Sequence, residues 1–460
     1  MNRIAGRATA VLLLVVILLG GLTFFLCEFT MEAKDWVLFN GSPHLYNSET
    51  GRLRDIYTTD RDGTLLLDLR DGRTYASDSV IRQATLHWTG DQLGNISVPF
   101  YGNYLEQLAG FDYLNGLYAY GDPGAKVELT ISAKLQTVAL EALGSNRGTV
   151  AIMNYETGEI LCAVSNPSFD PENAPEITEE NLSQWEGVYL NRFTQATYVP
   201  GSIFKIVTLA AALETIPDIE SMTFQCTGKH QLGNDWVTCE AVHGTQDLKT
   251  AFARSCNCAF AQIALLIGEE NLSKYIDQFG VTEELCFDGI TTEAGSVELS
   301  DTADVELAWS AIGQHKDQIN PARYLAFLAS IARGGVEVDP HIVGSVSIGT
   351  DETYQAKTGE GKRIMSVSTA ETLRQYLRNN VQTIYGPEKF GILAACGKSG
   401  TAEVGGGQKS NALFAGFTLD EDYPLAFIAV VENGGYGSNT CIPILAKVLD
   451  ECVEVLEKGS

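Results

Sequence analysis

Residues 146–460 read as one α/β domain, and three observations predict it. β-Type runs stand at both ends of the span, helical segments fill its middle, and the helix at 202–214 is apolar almost all round. Strands distant in sequence, with helices between them, can be reconciled only by a sheet that gathers both ends of the domain. The chain has 460 residues, 45% hydrophobic and 19% charged, enough for a large core and for two or three domains.

Each element has its local reason. GTVAIMN and EILCAVS, joined across Tyr155–Gly158, read as a β-hairpin over 148–165. SIFKIVTLAAALE (202–214) has no polar face of any width, the mark of a helix buried inside a domain. More helical segments follow between 247 and 335. ILAACGKSGTAEV, NALFAGFTL and LAFIAVVEN return to strand character, the last two joined across Asp420–Asp422. PILAKVLDECVEVLE closes the chain as a helix. Upstream, residues 28–145 carry turn signals at Asp62-Gly63, Asp71-Gly72 and Asp122-Pro123-Gly124. The runs TLLLDL and TYASDSVI between them predict a small β-rich module, a pedestal that a helix at 133–143 completes.

The N-terminus sets the compartment. Arg3 and Arg7 precede an uncharged run from Ala8 to Cys27, whose 20 residues match the roughly 30 Å of a bilayer core. Glu28, Glu32 and Asp35 follow. Positive charge on the N-terminal side predicts a cytoplasmic tail at 1–7, a single-pass anchor at 8–27 and an extracytoplasmic remainder. A cleaved signal would be shorter and followed by a small-x-small site, which this stretch lacks. Bulky Leu26 before Cys27 argues against a lipoprotein. Asp and Glu outnumber Lys and Arg by 58 to 31, a formal charge of −27, so a phosphate backbone would be repelled and no nucleic-acid partner is expected.

Ten cysteines in an exported chain invite disulfides. Cys226 and Cys239 bracket a short polar hairpin and are the best candidate pair. Cys162, Cys396 and Cys441 lie in apolar runs and read as buried thiols. Cys226, Cys239 and His243 offer three zinc donors, but a fourth and the paired spacing of a zinc site are missing, so no metal and no cofactor are expected.

Three short motifs carry chemistry. In Pro200-Gly201-Ser202-Ile203-Phe204-Lys205, Ser202 enters the first turn of the apolar helix, with Lys205 on the same face at i+3. A serine hydroxyl needs a base, and a buried lysine can be one because desolvation lowers its pKa. Alone, S-x-x-K arises about once or twice by chance in a chain this long. Ser255-Cys256-Asn257 lies between two helical runs, so Ser255 and Asn257 either face one cavity or cap a helix. Lys398-Ser399-Gly400-Thr401 sits inside a strand run. Gly400 there suggests close approach by another backbone or a ligand, and a lysine among hydroxyls suits a carboxylate.

Together, S-x-x-K, S-x-N and K-S-G-T in this order resemble the class B penicillin-binding proteins. PGSIFK, HGTQDLKTAFARSCNCAFAQIA, AIGQH with NPARYLAFLASIARGG, GKSGTAE and FIAVVENGGYG are similar to family blocks over about 146–460. RLRDIYTTDRDGTLLLDL and GFDYLNGLYAY resemble, more weakly, the family's non-catalytic N-terminal module. The resemblance implies the penicillin-binding-protein and serine β-lactamase-like fold, an antiparallel sheet flanked by helices. It also implies a D,D-transpeptidase acting on D-Ala-D-Ala peptidoglycan stems. Ser202 would be the acylated nucleophile and Lys205 its base. Ser255 and Asn257 would line the opposite wall, with Lys398, Ser399 and Thr401 gripping the terminal carboxylate. The N–H groups of Ser202 and Thr401 would form the oxyanion hole. β-Lactams would acylate the same serine, and a membrane glycosyltransferase would be the partner. The sequence departs from the family at His315, where glycine is usual, and at Asn411 and Leu413, where His and Trp are more common.

Other functions leave different marks. A class A β-lactamase carries an E-x-x-L-N glutamate between the second and third motifs, which is missing here. A D,D-carboxypeptidase shares every catalytic residue and differs in the acceptor, whereas the anchor and the N-terminal module favour transfer to an amine. A non-catalytic scaffold of a wall-synthesis complex need not keep all these side chains.

Overall fold

The computed structural model describes residues 2–38, 55–114, 116–117, 124–300 and 302–458. Its centre is a five-stranded sheet. β1 (Gly148–Asn154) and β2 (Ile160–Asn166) form the expected hairpin, and β3 (Ala395–Ala402), β4 (Asn411–Thr418) and β5 (Leu425–Val431) come from the last part of the domain. The order is β3-β4-β5-β1-β2, antiparallel throughout. β5 beside β1, with Phe427 opposite Ile152, is the pairing that joins the two ends of the domain.

Every residue of β4 and β5 is buried, so both faces are covered. Side chains alternate between two cores, as a strand's period of two requires. Val150, Ile152, Phe414 and Phe427 pack with Leu135, Leu445 and Leu449 from the helices Ala133–Leu143 and Gly437–Lys458. Ala151, Met153, Leu413, Ala415 and Ile428 face the opposite core. Phe414 and Phe427 stack with centroids 6.3 Å apart, and Phe390 joins them at 5.9 Å from Phe414. Each such buried ring contributes on the order of 1.5–3 kcal/mol.

On that opposite side lies α1 (Lys205–Thr215), buried from Lys205 to Ala212. It begins later than the sequence suggests. Pro200 and Gly201, the latter at φ +55°, shape a 3-10 turn over Gly201–Ile203, and Ser202 sits in that turn. α2 (Leu248–Ala253) and α3 (Asn257–Ile267) follow, with a helix at Pro321–Ala332 capped by the Asn320 side chain.

The N-terminal strands pair with strands from much later in the chain. Strands Ile56–Thr59, Leu65–Asp68, Thr74–Tyr75 and Ala125–Leu129 share one six-stranded sheet with Val343–Ile348 and Asp351–Gln355. A division at 145/146 therefore passes through a sheet. In TYASDSVI only Thr74–Tyr75 is strand. Asp78 accepts from the Val80 N–H and starts a helix at Ser79–Thr89. Residues 52–54, 115 and 118–123, which include Asp122 and Pro123 of an expected turn, lie outside the described residues. The N-terminal helix runs from Asn2 to Glu32, with its apolar side chains from Val11 to Leu22 exposed and a mean hydropathy of 2.9 in its most apolar window. It is long and apolar enough to cross a membrane.

The shared sheet generates a prediction. A chain beginning at residue 146 loses the strand Ala125–Leu129 that pairs with Val343–Ile348, and the helix that covers Val150 and Ile152. Its thermal unfolding midpoint by circular dichroism should fall well below that of a chain beginning at residue 55. Equal midpoints would contradict the continuity of the two parts.

Candidate active site

The three motifs meet where the turn before α1, the α2–α3 junction and the edge strand β3 converge. Lys205 is fully buried and Ser202 half-buried, so the hydroxyl faces outward and the amine lies behind it. Lys205 Nζ lies 3.1 Å from Ser202 Oγ, 2.8 Å from the Ser255 carbonyl, 3.1 Å from Ser255 Oγ and 2.7 Å from Asn257 Oδ1. Lys398, also buried, donates to Ser255 Oγ at 3.0 Å and to the Ser399 carbonyl at 2.9 Å. Ser255 Oγ thus bridges the two amines.

Burial first, and then the charge of Lys398, pull Lys205 down to about 7. Burial likewise brings Lys398 to about 7. The shift changes what Lys205 can do. An ammonium has three donors and no acceptor, whereas the neutral amine has a lone pair that can take the Ser202 proton.

Local backbone geometry aims these groups. Ser255 is left-handed at φ +53°, a conformation that costs a non-glycine residue on the order of 1 kcal/mol. The Ser255 N–H donates to Phe252 O and the Cys256 N–H to Ala251 O, a Schellman ending of α2 with serine in the usual glycine position. Cys256 then stands at the N-cap of α3 without a side-chain cap bond, and Asn257 is the first helical residue. The capping alternative therefore fails for this pair. Asn257 accepts from Lys205 and donates through Nδ2 to the Thr238 carbonyl at 2.9 Å.

β3 reaches the turn because glycine stands at Gly400. A Cβ there would lie 2.7 Å from the Pro200 carbonyl, so the close approach inferred from sequence is to another backbone. A Cβ on Gly201 would meet the Thr401 carbonyl, also at 2.7 Å, which brings the backbones of Ser202 and Thr401 together. Gly201 donates to Gly313 O, Gln314 Nε2 to Thr401 O, and the Tyr324 hydroxyl to Ile203 O, fixing the turn from three sides.

Ser202, Lys205, Ser255, Asn257 and Lys398 form one connected network, with Gly400 and Thr401 beside it. Ser399 has a contact that the sequence did not announce. Its hydroxyl shares a 3.0 Å hydrogen bond with the Tyr385 hydroxyl, and its N–H donates to the same oxygen. Neighbouring strand residues point to opposite faces, so Ser399 shares a face with Thr401, both half-buried, while Lys398 is buried on the other. That alternation was available in the sequence. Tyr385 carried no motif and was missed. So was Asp317, buried behind the Gly313 turn, which accepts from Ser310 at 2.6 Å and is raised to about 8 by burial.

The sequence departures have structural readings. His315 adopts φ +70°, the conformation that explains why glycine is usual there. Asn411 accepts from the Asn433 N–H, and Leu413 is buried directly opposite Gly400. The expected Cys226–Cys239 disulfide is not formed, because both sulfurs turn toward His243 as free thiols. Cys162, Cys396 and Cys441 are buried and free, as read from their apolar runs.

The domain that holds these groups has relatives among known proteins. Residues 148–450 match the model of the penicillin binding protein transpeptidase domain. The chain is 29% identical, over 340 residues, to the peptidoglycan D,D-transpeptidase PbpA of Mycolicibacterium smegmatis, covering 68% of this chain and 69% of that protein. Stage V sporulation protein D of Bacillus subtilis is 28% identical over 361 residues, 72% of this chain and 54% of that one. Among solved structures, the D,D-transpeptidase domain of a peptidoglycan glycosyltransferase from Eggerthella lenta matches with a TM-score of 0.72 at 26% identity, over 87% of this chain and 98% of that chain. PBPA of Mycobacterium tuberculosis shares the fold with a TM-score of 0.74 at 24% identity, over 86% and 98%.

The buried amine has a consequence for stability. Lys205 loses its proton near 7 when folded, against 10.5 as its ordinary value. Between those values the unfolded chain binds more protons, so this group makes stability rise with pH. Relative to Lys205→Met, the wild-type chain should gain stability in urea as pH rises from 7 towards 10. A pH-independent difference would contradict the burial effect.

Proposed function

The chain belongs to the penicillin-binding protein transpeptidase family, and on that premise we propose that it cross-links peptidoglycan stem peptides as a D,D-transpeptidase through an acyl-enzyme on Ser202. One observation carries the assignment of roles, the buried Lys205 amine 3.1 Å from the Ser202 hydroxyl.

In this reading a D-Ala-D-Ala stem enters along β3 with its terminal carboxylate toward Lys398 and Thr401. Neutral Lys205 takes the Ser202 proton as Oγ attacks the carbonyl of the penultimate D-Ala. The N–H groups of Ser202 and Thr401 receive the oxyanion, a contribution often among the largest in acyl transfer. As the tetrahedral intermediate collapses, the C–N bond breaks. Ser255 Oγ, in contact with both amines, passes a proton to the departing D-Ala nitrogen. An amine from a neighbouring stem then attacks the ester and gives its proton back along the same path, releasing Ser202. Asn257 holds Lys205 in place and presents its amide at the wall. A β-lactam carries an amide and a carboxylate at similar positions and acylates Ser202 in the same way.

The apolar N-terminal helix suits a membrane anchor. Arg3 and Arg7 in its first two turns, ahead of the apolar run, support a cytoplasmic N-terminus, with the transpeptidase region on the extracytoplasmic side. Residues 28–145 act in this reading as a short pedestal, and 146–460 as the transpeptidase region. A membrane glycosyltransferase would supply the glycan strands whose stems are joined.

A fluorescent penicillin should label the full chain covalently, and Ser202→Ala should abolish labelling. Lys205→Ala should slow it roughly 100- to 10,000-fold, the range of general-base catalysis. In the wild type the labelling rate should climb with pH through about 7. Labelling that survives Ser202→Ala, or a flat pH profile, would contradict these roles. With paired stems, mass spectrometry should find the cross-linked dimer in excess of the trimmed stem.

A further inference from the structure

Beside the reacting groups, four soft donors converge from separate elements. Cys226 ends the strand Thr223–Cys226 and pairs with Gly244, the residue after His243. Cys239 follows the strand Asp235–Thr238, and Cys256 stands at the start of α3. Their three sulfurs and a His243 ring nitrogen all lie within 4.8 Å of one another.

The separations resemble the edges of a tetrahedron around a metal. His243 Nδ1 is 3.6 Å from Cys226 Sγ and 3.5 Å from Cys239 Sγ, and Cys239 Sγ is 4.0 Å from Cys256 Sγ. With zinc bonds of about 2.3 Å to sulfur and about 2.1 Å to nitrogen, a tetrahedral site has edges of about 3.8 Å and about 3.6 Å. Cys226 and Cys256 are buried, while Cys239 and His243 are partly exposed and leave an entry for an ion. A disulfide would use two thiols and leave a third thiol and the imidazole converged on nothing. Three thiols and an imidazole select a soft, tetrahedral d10 ion over magnesium or calcium. The sequence reading stopped at three donors because Cys256 belongs to a separate element that only the fold brings beside the other three.

We propose that Cys226, Cys239, His243 and Cys256 bind one zinc ion, which pins the loop that carries Ser255 and Asn257. Cys256 lies between those two residues, so a metal bond to its sulfur holds the left-handed Ser255 backbone on one side and Asn257 on the other. Asn257 is tied a second time through Thr238, the residue before Cys239. The ion takes no part in the reaction. It sets the positions of two groups that touch Lys205. The effect on acylation rests on the function proposed above, whereas metal binding does not.

The test uses the full chain purified in detergent under reducing conditions. Elemental analysis should find one zinc per chain in the wild type and in Ser202→Ala. It should find one in Cys441→Ser and little in Cys239→Ser or His243→Ala. Cobalt(II) substitution should give thiolate charge-transfer absorption that Cys239→Ser weakens. Removing zinc with a chelator should slow penicillin acylation roughly tenfold or more, the scale on which groups around metal sites act, and added zinc should restore it. Loss of metal from the Cys239 and His243 variants with one zinc kept in Ser202→Ala supports the site whatever the outcome of labelling. Zinc well below one per chain in the reduced wild type overturns it. So does mass mapping that finds Cys226 bonded to Cys239, or cobalt absorption unchanged in Cys239→Ser.

Discussion

The burial of one amine organises this molecule. Lys205 sits on a helix apolar almost all round, shielded from solvent, with oxygen acceptors from the α2–α3 junction around it. An ammonium there is costly, and the compensation is specific. It takes the Ser255 carbonyl and hydroxyl and the Asn257 amide to make the site tolerable, so the α2–α3 junction must close on α1. A second buried amine, Lys398, shares the Ser255 hydroxyl and presses further against the charged form of Lys205. The same constraint that makes the site hard to fold makes the amine basic near neutral pH and able to accept a proton from Ser202.

Positioning follows from backbone contacts that leave no room for side chains. Gly400 lets β3 lie against Pro200, and Gly201 lets the nucleophile's turn lie against Thr401. The five-stranded sheet supplies the rigid base. β3 pairs residue by residue with β4 from Ala395 to Ala402, and β4 and β5 are buried throughout. Tyr385 holds β3 through the Ser399 hydroxyl and N–H. The αL serine at position 255 stores strain at the one place where a hydroxyl must meet both amines.

Much of this was legible in the sequence, for identifiable reasons. The uniform apolarity of 202–214 announced that Lys205 would be buried, and a glycine inside a strand announced close backbone approach. The hairpin at 148–165 and the strands after 390 declared themselves by composition. What stayed hidden depends on register and tertiary closure. The bond between Ser399 and Tyr385 joins residues whose meeting depends on how the chain closes around β3. The sheet that the N-terminal strands share with Val343–Ile348 and Asp351–Gln355 was hidden because those partners lie far away in sequence. Cys226 and Cys239 look like a disulfide pair until the hairpin brings His243 and Cys256 to the same point. Tyr385 and Asp317 act through the fold alone, and no local pattern marks them.

The most direct measurement is the protonation of Lys205 itself. Nuclear magnetic resonance of the chain carrying isotope-labelled lysine side chains, titrated from pH 5 to 11, should show a resonance with a midpoint near 7 that disappears in Lys205→Met. If every lysine, Lys205 included, titrated close to its ordinary value of 10.5, the amine would stay charged at neutral pH and could not serve as the base for Ser202.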